Sequence, residues 1–343
     1  MLREMAGEIF RQALADCSIE QAMTRKVRVM AGVDGQQLLV DGVEAIDLER
    51  VKYLRIVAVG KASADMLRSL LECLPEEPRY DLAGVLIARE LPPGLPLGFQ
   101  FFAGGHPLPN EASCAGARAA LEMLHDLQED KARAAETLCL FLISGGASAM
   151  MELPLDPAIP LADMVSFYRE LVHCGASIAE INCVRKHFSA IKGGRLGRAA
   201  GGIETLSLLV SDVPPGHLDA LASGPTLPDR STIEQCREIL ARYRLLERFP
   251  ASVREFFERS DLPETPKPGS FAARTATLLT SDDLADRARI RAEELGFYAV
   301  VDNACDDWNY RAAAEYLLNR LRGLRSEHPK VCLISAGEVT VEL

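Results

Sequence analysis

Several short segments carry the residue types that handle small anions. Ser144-Gly-Gly-Ala-Ser148 follows the apolar run Leu138-Cys-Leu-Phe-Leu-Ile143. Gly145 and Gly146 can take φ > 0 and bring backbone N–H groups close to a ligand. From Ala147 a turn of helix is expected, whose first N–H groups attract anions, and Ser144 and Ser148 add hydroxyls. The segment reads either as a cradle for a phosphate or carboxylate or as a plain tight turn. It fits neither GxxxxGK[ST] nor GxGxxG, so neither standard nucleotide fingerprint applies. Lys61 comes directly after Val57-Ala-Val-Gly60. An ammonium there would project beyond a strand end and hold a phosphate or carboxylate as a point charge. The alternative is a solvated lysine, but the start of a helix disfavours a cation.

The richest segment is Asn182-Cys-Val-Arg-Lys-His-Phe-Ser-Ala-Ile-Lys-Gly-Gly-Arg195. Ile178, Ile181, Val184, Phe188 and Ile191 recur at helical spacing as a buried stripe. That spacing places Asn182, Arg185, Ser189 and Lys192 on one polar stripe, with Gly193 and Gly194 as a helix C-cap. Arg185, Lys186, Lys192 and Arg195 concentrate positive charge. Such charge suits an anionic ligand, or else forms a solvated basic face. Ser211-Asp212 ends another strand. Asp212 there suits Mg²⁺, which takes one or two protein carboxylates and otherwise water and phosphate. An N-cap or Asx-turn is the plainer alternative. Ala222-Ser-Gly-Pro-Thr226, with Ser223 and Gly224, is a compact turn that could form a further anion nest. His106, among the turn formers of Gly104-Gly-His-Pro-Leu-Pro109, reads more simply as structural. His173, Cys174 and Cys183 do not make a metal set. No GxSxG or HExxH motif supports nucleophilic hydrolysis or zinc catalysis.

These loops need a scaffold. Apolar runs at 54–60, 84–88, 138–143 and 205–211 read as strands. Helical patterns at 62–74, 111–127, 161–175 and 177–191 alternate with them, and residues up to about 46 also read as helical. Alternation of this kind implies an α/β fold, a mainly parallel sheet with helices on both faces. Ligands then bind beyond the carboxyl ends of the strands. Leu262-Pro-Glu-Thr-Pro-Lys-Pro-Gly269 is stiff and non-helical, and reads as a linker. It divides the chain into units 1–261 and 270–343. The second unit shows strands at 275–281, 297–301, 330–335 and 339–343 with helices at 282–295 and 308–324. It ends on a strand and reads as incomplete.

Composition sets the outer limits. The 343 residues are 48% hydrophobic and 25% charged, which suggests two domains at roughly 150 residues each. No apolar window of about 18 residues predicts a membrane span, and the N-terminus has no signal-peptide core. A net charge of −11 argues against a broad nucleic-acid surface. Nine scattered cysteines without a CxxC pair read as free thiols in a reducing cytoplasm.

Taken together, the segments resemble the type II glycerate 2-kinase family. The resemblance runs through Gly60-Lys61-Ala62, Gly105-His106-Pro107, Leu142 to Ser148, Asn182 to His187, Ser189 to Arg195, Ser211-Asp-Val213 and Ala222 to Thr226. It implies a large Rossmann-like domain and a smaller C-terminal domain of the MOFRL type, with the site in the cleft between them. It also implies phosphoryl transfer from ATP, with Mg²⁺, to the 2-hydroxyl of D-glycerate. On that reading Lys61, Arg185 and Asp212 are catalytic, and Asp212 is also the metal ligand. Ser144, Gly145, Gly146, Ala147, Ser148, Lys192, Ser223, Gly224 and, from the second unit, Glu338 bind substrate or phosphate. Family members are often labelled hydroxypyruvate reductases, but the missing dinucleotide fingerprint argues against hydride transfer. A catalytically impaired organic-acid or nucleotide-binding protein is the other alternative. Two departures stand out. Pro214-Pro-Gly-His217 replaces the family's acidic pair, leaving Asp219 as the nearest acid. The chain also stops at Leu343, before the family's GRGGRNQ-like stretch. The expectation is a cytoplasmic monomer or homodimer with no nucleic-acid or membrane partner.

Overall fold

The computed structural model describes residues 2–32, 35–41, 43–75, 79–213, 216, 218–306 and 308–341. Two helices come first, α1 (Leu2–Asp16) and α2 (Ile19–Lys26). The Ser18 hydroxyl caps α2 by accepting from the Gln21 N–H. The helical pattern expected up to about residue 46 stops here. β1 (Val27–Gly32), β2 (Gly35–Val40) and β3 (Val43–Asp47) instead form an antiparallel sheet. The periodicity has changed from 3.6 to 2. Leu38 and Val40 turn inward two residues apart, and Ile46 joins them opposite Leu38.

The scaffold follows as β4 (Tyr53–Val59), α3 (Ser63–Cys73), β5 (Asp81–Ala88), β6 (Phe99–Ala103), α4 (Glu111–Glu129), α5 (Lys131–Ala135) and β7 (Thr137–Ser144). Next come α6 (Ala147–Met150), α7 (Leu161–Val172), α8 (Ile178–Phe188), α9 (Arg195–Ala199), β8 (Glu204–Val210), α10 (Ile233–Arg242) and α11 (Ala251–Glu258). The chain continues through β9 (Thr275–Leu279), α12 (Ser281–Glu294), β10 (Tyr298–Val301), α13 (Tyr310–Glu327) and β11 (Val331–Ile334).

Six strands form one parallel sheet in the order β6-β5-β4-β7-β8-β9. The central strands are buried from Leu54 to Val59 and from Thr137 to Ser144, because helices cover both faces. One face packs Ile56, Ala58, Leu140 and Leu142 on Met66 and Leu70 of α3. The other packs Val57, Val59, Phe141 and Ile143 on Leu124 of α4. The chain runs outward from β4 to β6, then returns to β7 and runs outward on the other side. The topological switch point therefore lies between the carboxyl ends of β4 and β7. A third core lies outside the sheet, where Phe167, Phe188, Phe249, Phe256 and Phe257 cluster. The rings of Phe167 and Phe188 stack at 4.3 Å. Among the described residues no helix is long and apolar enough to cross a membrane.

The C-terminal part differs from the sequence expectation. The strand assigned to the C-terminal unit at 275–281 is β9, which pairs with β8 at the edge of the large sheet. β10 and β11 form a separate parallel pair, and of the expected strand at 339–343 the described residues 339–341 contribute an isolated bridge of Thr340 to Asn309, while 342 and 343 lie outside the described residues. The N-terminal α1 packs on α12 through Ile9, Ala13, Ala288 and Ala292. Segment 262–269 is docked rather than free. Thr265 is buried and its hydroxyl donates to Asp229 at 2.9 Å, while the Asp229 N–H donates to the Pro266 carbonyl at 2.8 Å.

Phe188→Ala should cost about 3–5 kcal/mol of stability, the usual range for emptying an aromatic core site, read from urea denaturation. Glu264 in the docked segment gives a pH signature. Burial alone would raise its carboxyl, but Lys267, the N–H groups of Ile233 and Thr265, and His187 hold it at about 2. A carboxyl depressed in the folded state stabilises the fold above its unfolded value, and that contribution is lost as pH falls through the folded one. The urea midpoint should therefore drop between the ordinary glutamate range and about pH 2. Glu264→Gln should flatten that interval.

Candidate active site

The switch point is knitted together by backbone. The Lys61 N–H donates to the Gly145 carbonyl at 2.9 Å, and the Ala62 N–H donates to Ser144 Oγ at 3.0 Å. This approach leaves no room for a side chain at Gly60, where φ is +119° and a Cβ would stand 2.3 Å from Ser144 Oγ. Gly146 has φ +85°, and a Cβ there would meet His106 Cδ2 and Lys61 Cγ, both at 3.0 Å. A Cβ on Gly145 would stand 2.5 Å from an Asp212 carboxylate oxygen. Lys61, His106, the double-glycine turn and Asp212 therefore lie side by side at the strand ends. The N–H groups of Gly146, Ala147 and Ser148 have no acceptor among the described residues. Neither the Lys61 ammonium nor the Asp212 carboxylate has a hydrogen-bond or ion-pair partner among them.

A second layer lies behind the turn. Ser148 Oγ is 3.1 Å from Ser223 Oγ, which donates to Asn182 Oδ1 at 2.9 Å. Ala222, Ser223 and Gly224 run consecutively through left-handed backbone at φ 53°, 59° and 61°. Two non-glycine residues in that region cost roughly 1–3 kcal/mol each. The turn is held by N–H donation from Gly193 to Ser223 O (3.0 Å), Gly194 to Gly224 O (2.7 Å) and Gly197 to Pro225 O (3.0 Å). Below it, Glu152 is fully buried and accepts from Lys192 Nζ at 2.5 Å, from Ser189 Oγ at 2.5 Å and from the Tyr168 hydroxyl. The Arg185 guanidinium lies 5.0 Å over the Tyr168 ring, and its buried Nε has no acceptor.

Residues 5–258 match the family described as "Domain of unknown function (DUF4147)". Glycerate 2-kinase of Pyrococcus horikoshii is 30% identical over 349 residues, covering 100% of this chain and 75% of that protein. The chain belongs to the glycerate 2-kinase family. D-glycerate 2-kinase of Thermotoga maritima is 32% identical over 303 residues, covering 87% of this chain and 68% of that one. The crystal structure of glycerate kinase from Thermotoga maritima superposes with a TM-score of 0.77 at 28% identity, covering 100% of this chain and 75% of that one.

In this glycerate 2-kinase relative, Lys61, Gly145, Gly146, Ala147, Ser148 and Asp212 come together as the sequence suggested. Ser144 stands at the centre but is buried, and its hydroxyl already serves the Ala62 N–H. Ser223 reaches the site through Ser148. Gly224 does not offer its N–H, which donates to Leu221 O at 2.8 Å. The basic segment is largely neutralised from within. Lys186 is 3.0 Å from both Asp219 and Asp229. The Arg195 guanidinium donates to the Pro263 carbonyl at 3.0 Å. Lys192, 1% exposed, is a buried counter-charge to Glu152 rather than an open anion ligand. Burial pulls its ammonium pKa down, and Glu152 opposes that only in part. The expected polar stripe fails because α8 ends at Phe188, and Gly193 and Gly194 are left-handed residues leading into α9 instead of a C-cap. Arg185 alone of the four cations has no anionic or carbonyl partner among the described residues. Glu338 lies on the loop after β11, its N–H donating to Asp306 at 2.9 Å, and no contact joins it to the group around Lys61. Of the departure at 214–217, Pro214, Pro215 and His217 lie outside the described residues.

The sequence reading took His106 as structural and did not name Arg89. His106 stands against Gly146. Burial, then the charges of Lys61 and Arg89, hold its imidazole below the usual histidine value and hence neutral at pH 7. Arg89 follows β5 just as Lys61 follows β4. The strand-end rule applied to Lys61 would have found it.

Lys192→Met should destabilise the fold by about 3–5 kcal/mol, because Glu152 is left charged and buried without a partner. Adding Glu152→Gln should recover most of that loss in the same denaturation measurement.

Proposed function

We propose that this chain is an ATP-dependent kinase that phosphorylates D-glycerate at its 2-hydroxyl to give 2-phosphoglycerate. The observation that carries the reading is the convergence of Lys61, the N–H groups of Gly146 to Ser148, which have no acceptor among the described residues, and Asp212 at the switch point. The Pyrococcus and Thermotoga relatives, named for this activity, support it.

Phosphoryl transfer asks a protein mainly to position its reactants and to balance charge spread over the phosphate oxygens. Lys61 would neutralise the transferred phosphate or the glycerate carboxylate. The turn N–H groups would donate to the same anion, and their fixed geometry needs no reorganisation during the reaction. Arg185, with its ring support and no counter-ion, would add charge from the layer behind. Neutral His106 can accept a hydrogen bond from the substrate hydroxyl. Arg89 would keep that imidazole unprotonated.

Mg²⁺ fits the donor chemistry. Asp212 is an exposed carboxylate without a partner among the described residues, and Mg²⁺ is bound through one or two carboxylates plus phosphates and water. Asp212 would hold it, and the ion would supply charge neutralisation on the nucleotide phosphates. No group of three or more His, Cys, Asp or Glu gathers among the described residues, so the remaining ligands would come from the nucleotide and solvent. Nine cysteines, all unpaired, suit a reducing compartment, in keeping with a cytoplasmic enzyme.

A coupled assay for ADP release should detect turnover with ATP and D-glycerate. Lys61→Ala should lower kcat/KM by about 10²–10³-fold, the scale for losing one transition-state donor, with no change in thermal midpoint because Lys61 is exposed. Full-rate turnover in that variant would remove its role. Binding of D-glycerate without ADP release would favour the binding-protein alternative, and NADH consumption with hydroxypyruvate the reductase one.

A further inference from the structure

The opposite face of α8 from Asn182 and Arg185 carries Cys183 and His187, which the kinase chemistry does not use. Cys183 of α8 and Cys236 of α10 belong to the same buried core, with the two sulfurs within hydrogen-bond reach of each other. Cys183 lines a cavity of about 310 Å³ together with Glu180, Ser231, Gln235, Ile239 and Arg242. We propose that Cys183 is a hydroperoxide-reactive thiolate and that Cys236 is its resolving thiol, so that oxidation ties α8 to α10.

The geometry supplies each requirement. Cys183 Sγ is 4.0 Å from His187 Nδ1, and that same nitrogen is 2.8 Å from the Cys183 carbonyl. His187 Nε2 is 2.9 Å from a Glu264 carboxylate oxygen. Both ring nitrogens face acceptors, and only the imidazolium can donate to both. A buried positive charge therefore stands beside the Cys183 sulfur. Burial works against that charge, but bonds to the Cys183 sulfur and carbonyl and to Glu264 outweigh it and raise the His187 pKa. The Cys236 sulfur, within hydrogen-bond reach, draws the Cys183 pKa down, with His187 and Ser231 helping against burial. The same contact drives the Cys236 pKa up, so the pair favours charge on the Cys183 sulfur, the one beside His187. The thiolate is the reactive form. Elsewhere, burial pushes the thiols of Cys17, Cys73 and Cys332 up, and they provide an internal comparison. The cavity opens a route to a sulfur whose residue is otherwise 5% exposed.

The chemistry balances with a hydroperoxide as oxidant. The Cys183 thiolate attacks one peroxide oxygen, an S–O bond forms and the O–O bond breaks. Sulfur loses two electrons, the peroxide gains them, and the departing oxygen takes a proton as alcohol or water. The Cys236 sulfur then attacks the Cys183 sulfenic sulfur. An S–S bond forms, the S–O bond breaks, and hydroxide leaves as water with the Cys236 proton.

The reduced full chain would be treated with one equivalent of hydrogen peroxide, digested and read by mass spectrometry. The expected product is a Cys183–Cys236 linked peptide, lighter by two hydrogens. In Cys236→Ser the expected product is a dimedone adduct on Cys183. Iodoacetamide should alkylate Cys183 of the unmodified sequence at least about tenfold faster than Cys73, as a thiolate beside a cation requires. His187→Gln should remove that advantage. Because the alkylation arm needs no variant, a Cys183 rate no faster than that of Cys73 overturns the proposal. So does a peroxide product linking other cysteines. Both readouts are independent of kinase activity.

Discussion

Everything at the site depends on how closely the loop after β4 can approach the loop after β7. Two hydrogen bonds, from the N–H groups of Lys61 and Ala62 to Gly145 and Ser144, set that distance. Gly60 is the steric condition for it, since any Cβ would overlap Ser144. Once the loops are joined, the lysine after one strand must lie over the glycines after the other. Asp212 reaches the same spot because β8 is the next strand in a parallel sheet, so its end lies on the same edge.

Charge is distributed in two layers with different physical duties. In the inner layer buried charges are paired: Glu152 with Lys192, and Lys186 with Asp219 and Asp229. Such pairs add little net stability over apolar packing, but they are costly to half-break, so they fix one arrangement of the segments that carry them. They hold α8, the left-handed turn at 222–224 and segment 262–269 in register. Lys61 and Arg89 in the outer layer, and the half-buried Arg185 behind them, are left without counter-ions among the described residues. Their unbalanced field is what an anionic ligand would meet. An acidic chain can thus present a local group of unpaired cations.

Helix α8 serves both layers and a third surface besides. Its Asn182 reaches the glycine-rich turn through Ser223, its Arg185 rests on Tyr168, and its Cys183 and His187 face α10 and the docked segment. Glu264 touches His187, Lys267 and the start of α10 at once.

Much of this was legible in one dimension. Continuous apolar runs at 54–59 and 138–143 marked strands buried on both faces, because only a sheet covered twice tolerates no alternation. Glycine and polar residues directly after those runs marked loops at a common sheet edge, which places Lys61, Gly145, Gly146 and Asp212. The sequence reading went astray where a residue's partner lies far along the chain. Lys192 and Arg185 look equivalent as letters on a helical stripe. Glu152, forty positions away from Lys192, captures one and leaves the other free. The proline-rich stretch looked like a linker because its fixed φ values say nothing about docking, which Asp229 and His187 decide. Strand β9 looked like the start of a new unit because local pattern cannot report which sheet edge is vacant. The sequence by itself determined which residues leave the strand ends and how freely their backbone can bend. Only the tertiary structure decided which of those charges stay available, because a charge is quenched by whatever the fold brings within a few ångströms, and that distance is not written in sequence separation.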